Sequence, residues 1–194
     1  EQATQRMTGS TKKPGGLAGI TAGQTAIATV GTEGKGLSYR GYSIYDLTEQ
    51  ASFEEVAYLL LYGKLPNPEE FNSFQARLMQ QRRVPDKLRQ TLHSIPASAH
   101  PMDVLRTGCS MLGALEPETK LDQQTEKAER LLACLPSILI DWYRFSHDGI
   151  EIDFASSQKS IAGFFLEKFC GREPSPAHVR AMDVSLILYA EHEF

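Results

Sequence analysis

Helix-start signals recur along this chain at short intervals, and they commit most of it to helices. Ser52 and Glu55 stand at capping-box spacing ahead of "SFEEVAYLLLYG", and Gly63 supplies the stop. Asn67, Pro68 and Glu70 open a second helix that is expected to run to about Arg82. Pro85 opens one ending near Ile95, and Pro101 opens "PMDVLRTGCSMLGAL". A long helix is expected from about Asp122 through "DQQTEKAERLLACLPSILIDWYRFSHDG". Pro136 lies inside it, where a missing N–H and a crowding ring predict a kink or a break. Ser160 to Phe169, closed by Gly171, and a last helix capped by Ser175-Pro176 complete about seven helices. The fold class is mainly α, helix packed on helix.

One segment breaks the helical pattern. Thr25 to Val30 and Leu37 to Tyr42 are rich in β-branched and aromatic residues, with a glycine-rich turn from Gly31 to Gly36 between them. They predict a small N-terminal β-hairpin. A phosphate-cradling loop is the poorer reading, because no Gly-Lys-Ser/Thr follows and the next segment reads as strand.

The chain has 194 residues and a formal net charge of -4. That balance argues against a nucleic-acid partner, which requires clustered cations. The Arg82-Arg83 pair is expected at a helix end, where the dipole favours cations. Cys109, Cys134 and Cys170 are scattered and odd in number, each in an apolar helical context. They point to a reducing, cytoplasmic compartment rather than to a disulfide or zinc scaffold. No run of about 18 apolar residues is present, so no membrane span is expected. Residues 1–15 are polar and without a signal-peptide core, and are expected to be disordered.

Few side chains suggest chemistry. His93 and His178 lie in polar helical surroundings and are expected at the surface. His147 suits a helix C-terminus, and His100 suits a cap or a buried structural position. His192 differs: it ends the apolar run "LILYAEHEF" between Glu191 and Glu193. One carboxylate could orient the imidazole while the other ring nitrogen meets a ligand. His192-Glu193 would also open a His-Glu-x-x-His zinc motif, but nothing else in the sequence supports a metal. Gly108 and Gly113 cost the helix about 1 kcal/mol each against alanine, which suggests close helix–helix approach in a core crossing or a subunit interface. Asp103 and Arg106 are spaced for a surface pair one turn apart.

Longer motifs carry a resemblance. "GLAGITAGQTAIATVG", "LSYRGYSIYDL", "FEEVAYLLLYGKLP", "HPMDVLRTGCSMLG", "SILIDWYRFSHDG" and "LYAEHEF" occur in the order in which similar segments occur in the citrate synthase family. From Gly16 to Phe194 the chain resembles the N-terminal part of that family's helical domain, with the large domain incomplete. "AHPMDVLRTG" and "YAEHEF" look closest to the branch that condenses propionyl-coenzyme A with oxaloacetate. The resemblance implies an acyltransferase of about twice this length. Its Gly-Pro-x-His-Gly-Gly and Gly-Phe-Gly-His-Arg motifs, its catalytic aspartate and its oxaloacetate-binding arginines do not occur in this sequence. No catalytic residue is therefore expected within this chain, which alone is expected to be inactive. His192 resembles the family's oxaloacetate-binding histidine, and Arg77 is a second substrate-binding candidate, against a plain solvated position. Arg40 reads as structural, and Tyr189 as a shaper of the acyl pocket. No metal or cofactor is implied, coenzyme A arriving with the substrate. The resemblance also implies a homodimer, with the helix between Met102 and Leu115 in the contact. Two alternatives stay open: a synthase using acetyl-coenzyme A, and a non-catalytic all-α dimerisation module.

Overall fold

The computed structural model describes residues 23, 25–30 and 36–191. The expected disordered start, most of the hairpin loop and His192 lie outside them. Three short strands come first: β1 (Ala28–Val30), β2 (Leu37–Tyr39) and β3 (Tyr42–Ser43). They form one antiparallel sheet in the order β1-β2-β3, with Ala28 opposite Tyr39 and Tyr39 opposite Tyr42. The expected hairpin is thus a meander, because the strand read as Leu37 to Tyr42 folds back on itself. Arg40 (φ 49°) and Gly41 (φ 88°) both take left-handed backbone, the two-residue hairpin turn that matches strand twist.

Eight helices are described: α1 (Ile44–Gln50), α2 (Phe53–Tyr62), α3 (Pro68–Gln80), α4 (Asp86–His93), α5 (Pro101–Leu115), α6 (Gln124–Asp148), α7 (Ile161–Cys170) and α8 (Pro176–Leu188). A 3-10 turn, Leu121–Gln123, leads into α6. The helix beyond the expected seven is α1, whose seven residues are too few to show a periodic apolar face in the sequence. Both capping boxes form: Ser52 N–H donates to Glu55 Oε2 at 2.7 Å, and Asn67 N–H to Glu70 Oε2 at 2.9 Å. His100 caps α5, its Nδ1 accepting the Met102 amide at 3.2 Å.

Long α6 is the spine, packed against α3, α4, α5 and α7. It runs unbroken for 25 residues through Pro136, so the expected break does not occur. Partners on four sides hold its backbone helical where propensity alone would end it. Cys134, Ile138 and Trp142 on α6 meet Val84, Leu88 and Leu92 before and within α4, and Val104 and Leu112 of α5. A second core gathers Tyr39, Leu47, Val56, Leu59, Phe74, Leu78 and Ile187 from the sheet, α1, α2, α3 and α8. Gly108 is the crossing point of α5 on α6: a Cβ there would lie 2.5 Å from Ile138 Cγ2. Gly113 has no neighbour within 4 Å of such a Cβ, so the protomer itself shows no close approach there.

Between α6 and α7 the chain runs extended without joining a sheet. Ile152, Phe154, Ser156 and Gln158 turn inward while Glu151, Asp153, Ala155 and Ser157 face outward. Cationic side chains take the place of a neighbouring strand. Arg89 donates to Ile152 O at 3.2 Å, and Lys168 to Ala155 O. Arg82 donates to Gln158 O and Lys159 O at 2.6 Å each and to Ser160 O at 3.2 Å. Arg82 follows the end of α3, as expected, but it is 3% exposed and covers the Phe164 ring. Its role is to satisfy carbonyls that no backbone partner reaches.

Candidate functional site

The candidate site lies where α8 delivers the chain toward His192, and several distant residues fix that delivery. Ser175 caps the start of α8, accepting the His178 amide at 3.3 Å. Asp183, 6% exposed, accepts the Phe53 amide at 3.0 Å, the first residue of α2. Its other oxygen pairs with Arg180 at 2.8 Å. Arg180 reaches on to Ala51 O at 3.0 Å and to Thr48 O. The middle of α8 is thereby tied to the α1–α2 junction.

At the far end, the hydroxyl of Tyr39 donates to Ile187 O at 3.2 Å and Leu188 O at 3.3 Å. Tyr39 has no exposed surface, and burial raises its hydroxyl pKa, partly offset by a hydrogen bond with the Glu191 backbone. Beside the last turn, Phe53, Ala57, Leu60, Leu132 and Ala190 line a hollow of about 230 Å³. Its walls are apolar. Tyr189 is 81% exposed. His192 itself lies outside the described residues.

Arg77 lies elsewhere, on α3 facing α6. Its Nε and Nη2 grip both oxygens of Glu129 at 2.9 and 2.8 Å, and Nη1 donates to Ser73 Oγ at 3.0 Å. The side chain of Glu129 is 4% exposed. Tyr62 also donates to Glu129, and burial with this carboxylate beside it pushes the phenol up to about 12. For Glu129, burial works to raise the carboxyl pKa, but the bonds from Arg77 and Tyr62 outweigh it and hold the carboxyl below its ordinary range. Arg77 is thus bound into the protomer rather than pointing from a solvated face.

A second buried acid was not foreseen. Asp141 on α6 has no exposed side-chain surface and accepts Arg89 Nη2 at 2.9 Å. His93 Nε2 stands 3.0 Å from its other oxygen, and the ring stacks on Phe145 with centroids 3.7 Å apart. The expectation of a surface His93 is therefore corrected. An aspartate inside an apolar helix face needs polar partners, and Arg89 and His93, four residues apart on α4, supply them. His178 is exposed, as expected, and exposed His147 stacks on Tyr143 near the end of α6. Arg40 donates to Leu60 O at 3.0 Å, a structural contact. Cys134 is buried, which pushes its thiol up to about 11, whereas Cys170 is exposed. Among the described residues, no group of three or more His, Cys, Asp or Glu is arranged to hold a metal. No described helix is long and apolar enough to cross a membrane.

A buried helical spine, a small N-terminal sheet and a last helix ending at Leu188 make a fold that comparison with known proteins assigns to one family. Residues 16–194 match the family model described as citrate synthase, C-terminal domain, and the chain belongs to the citrate synthase family. It is 54% identical over 179 residues to a 2-methylcitrate synthase of Shewanella oneidensis, covering 92% of this chain and 48% of that protein. It is 40% identical over 182 residues to a citrate synthase of Mycolicibacterium smegmatis, covering 92% of this chain and 48% of that one. The fold matches Thermoplasma acidophilum citrate synthase, solved as a ternary complex with carboxymethyl coenzyme A and oxaloacetate. That match has a TM-score of 0.84 at 24% identity, over 92% of this chain and 47% of that one. The chain spans about half the length of the curated relatives it matches.

Proposed function

We propose that this chain is the leading half of a 2-methylcitrate synthase, which condenses propionyl-coenzyme A with oxaloacetate and hydrolyses the thioester. The 54% identity to the Shewanella oneidensis enzyme is the observation that carries this reading. A base takes a proton from the carbon beside the thioester carbonyl. The resulting enolate attacks the ketone of oxaloacetate, and water then cleaves the thioester. Each step needs charge placed where it develops: donors at the thioester oxygen, and cations and N–H groups around the keto-diacid. His192 is assigned the last of these tasks, donating an N–H to the ketone or a carboxylate of oxaloacetate. The base and the thioester donors come from the half that this chain does not include. Arg77 serves as the tie between α3 and α6, its grip on Glu129 leaving it poorly placed for a substrate.

Side-by-side assays of the full-length polypeptide test the reading. Propionyl-coenzyme A is expected to be the better thioester; preference for acetyl-coenzyme A would make the protein a citrate synthase, the function named for the Mycolicibacterium relative. His192→Ala is expected to depress oxaloacetate use by about a hundredfold or more, the scale for losing such a donor. The chain of 194 residues alone is expected to give no turnover. A homodimer through α5 is part of the same proposal. Its outer face leaves Met102 63% exposed and Gly113 open, room for a facing helix to approach. Gly113→Arg is expected to yield folded monomer in sedimentation, and a persisting dimer would move the contact elsewhere.

A further inference from the structure

We infer that Tyr39, in the N-terminal sheet, is a positioning residue for the candidate oxaloacetate site, fixing the last turn of α8 from which His192 extends. This rests on the assignment of His192 to oxaloacetate.

The last carbonyls of a helix lack intrahelical partners. In α8, Ser185 O takes the Tyr189 amide at 3.1 Å and Ile187 O takes the Ala190 amide at 3.3 Å. The chain then leaves the helix. The Tyr39 hydroxyl bridges Ile187 O and Leu188 O at this exit. One hydroxyl thus ties the backbone at two of the five residues before His192. It is rigidly placed in turn: the ring is fully buried, Tyr39 pairs with Ala28 on one side and Tyr42 on the other, and Arg40 anchors the turn to Leu60 O. The body of α8 has separate anchors, Asp183 on the Phe53 amide and Arg180 on Thr48 O and Ala51 O. Loss of the Tyr39 hydroxyl therefore frees the exit turn without unseating the helix. A donor on His192 aimed at a small ketone tolerates little displacement.

The test is Tyr39→Phe in the full-length polypeptide, which keeps the ring and deletes the contacts. Expected is about a tenfold fall in kcat/KM for oxaloacetate, the scale of one buried hydrogen bond. The KM for propionyl-coenzyme A should change by less than about twofold, as for an independent site. In a His192→Ala background, Tyr39→Phe should cost less than about twofold, because its effect passes through the imidazole. Amide hydrogen exchange should quicken at Tyr189, Ala190 and Glu191 while Val184 and Ser185 keep their protection. An unchanged kcat/KM, an equal loss for both substrates, an equal loss in both backgrounds, or exchange quickened along all of α8 would each overturn the inference. Undiminished oxaloacetate use by His192→Ala alone would instead remove the site assignment beneath it.

Discussion

The two buried glutamates are opposites in what their surroundings do to them. Glu129 is gripped by Arg77 and Tyr62 and held below its ordinary pKa. Arg77→Ala leaves that carboxylate largely buried and facing only a phenol. Breaking a fully buried pair costs about 3–5 kcal/mol; with Arg77 itself 39% exposed, about 2–3 kcal/mol is expected from urea denaturation at neutral pH. A lowered folded pKa means stability that is full above the unfolded value of 4.5 and is lost as pH falls through the folded one. The gap between wild type and Arg77→Ala should accordingly narrow in a series from about pH 7 to about pH 4, and a constant gap would place the effect in packing. Glu54 has the reverse sign. It is 1% exposed, its Oε1 accepts the Ile161 amide at 2.6 Å, and its Oε2 has no hydrogen-bond partner among the described residues. Burial, the largest influence, raises its pKa, and the Asp183 charge adds to it. The ionised form is thus penalised above the folded pKa and relieved as pH falls. Glu54→Gln keeps an acceptor for Ile161 and removes the charge, so it should match or exceed wild-type stability at neutral pH. Glu54→Ala should lose about 1–3 kcal/mol, and a Gln variant as weak as the Ala variant would refute the sign.

Among the elements, the α5–α6 crossing is the most demanding contact. Gly108→Ala sets a methyl 2.5 Å from Ile138 Cγ2, on a helix face that cannot shift freely. It should cost about 1–3 kcal/mol despite better helix propensity, read as a lower melting midpoint; a gain would mean that α5 slides easily. This crossing was half legible in the sequence, since a glycine inside a helical pattern signals close approach but does not say which neighbour needs it. Gly108 meets α6, whereas Gly113, written with the same letter five positions later, meets nothing in the protomer. Helix starts were legible because caps are local: Ser52 with Glu55 and Asn67 with Glu70 satisfy amides within three residues. The break expected at Pro136 failed because its local penalty is overruled by helices more than 20 residues away in sequence. The long-range side chains were illegible. Arg77 read as a substrate-binding candidate or a solvated residue, Arg82 as a cation at a helix end and His93 as a surface residue, because their partners Glu129, Gln158 and Asp141 are distant in sequence. A hint existed in Asp141 itself, one acid within "SILIDWYRF". Of the candidate site, the sequence pointed to the histidine but not to the Tyr39 tie behind it, which spans 148 residues to Ile187.

At the scale of the whole molecule, two irregular stretches of similar appearance are held very differently. Residues 117–120, in "LEPETKLDQQ", are exposed throughout and lead into the 3-10 turn. Residues 150–159 look no more regular, yet Arg82, Arg89 and Lys168 hold their carbonyls along the length of the segment. A digestive enzyme must draw several residues of backbone into its cleft, which the first stretch permits and the second resists. Brief trypsin treatment followed by mass spectrometry should therefore cut after Lys120 well before Lys159, although both lysines face water. Arg82→Ala, by releasing the clamp, should turn Lys159 into a second early nick, so that one buried guanidinium decides whether this chain is opened at one place or at two.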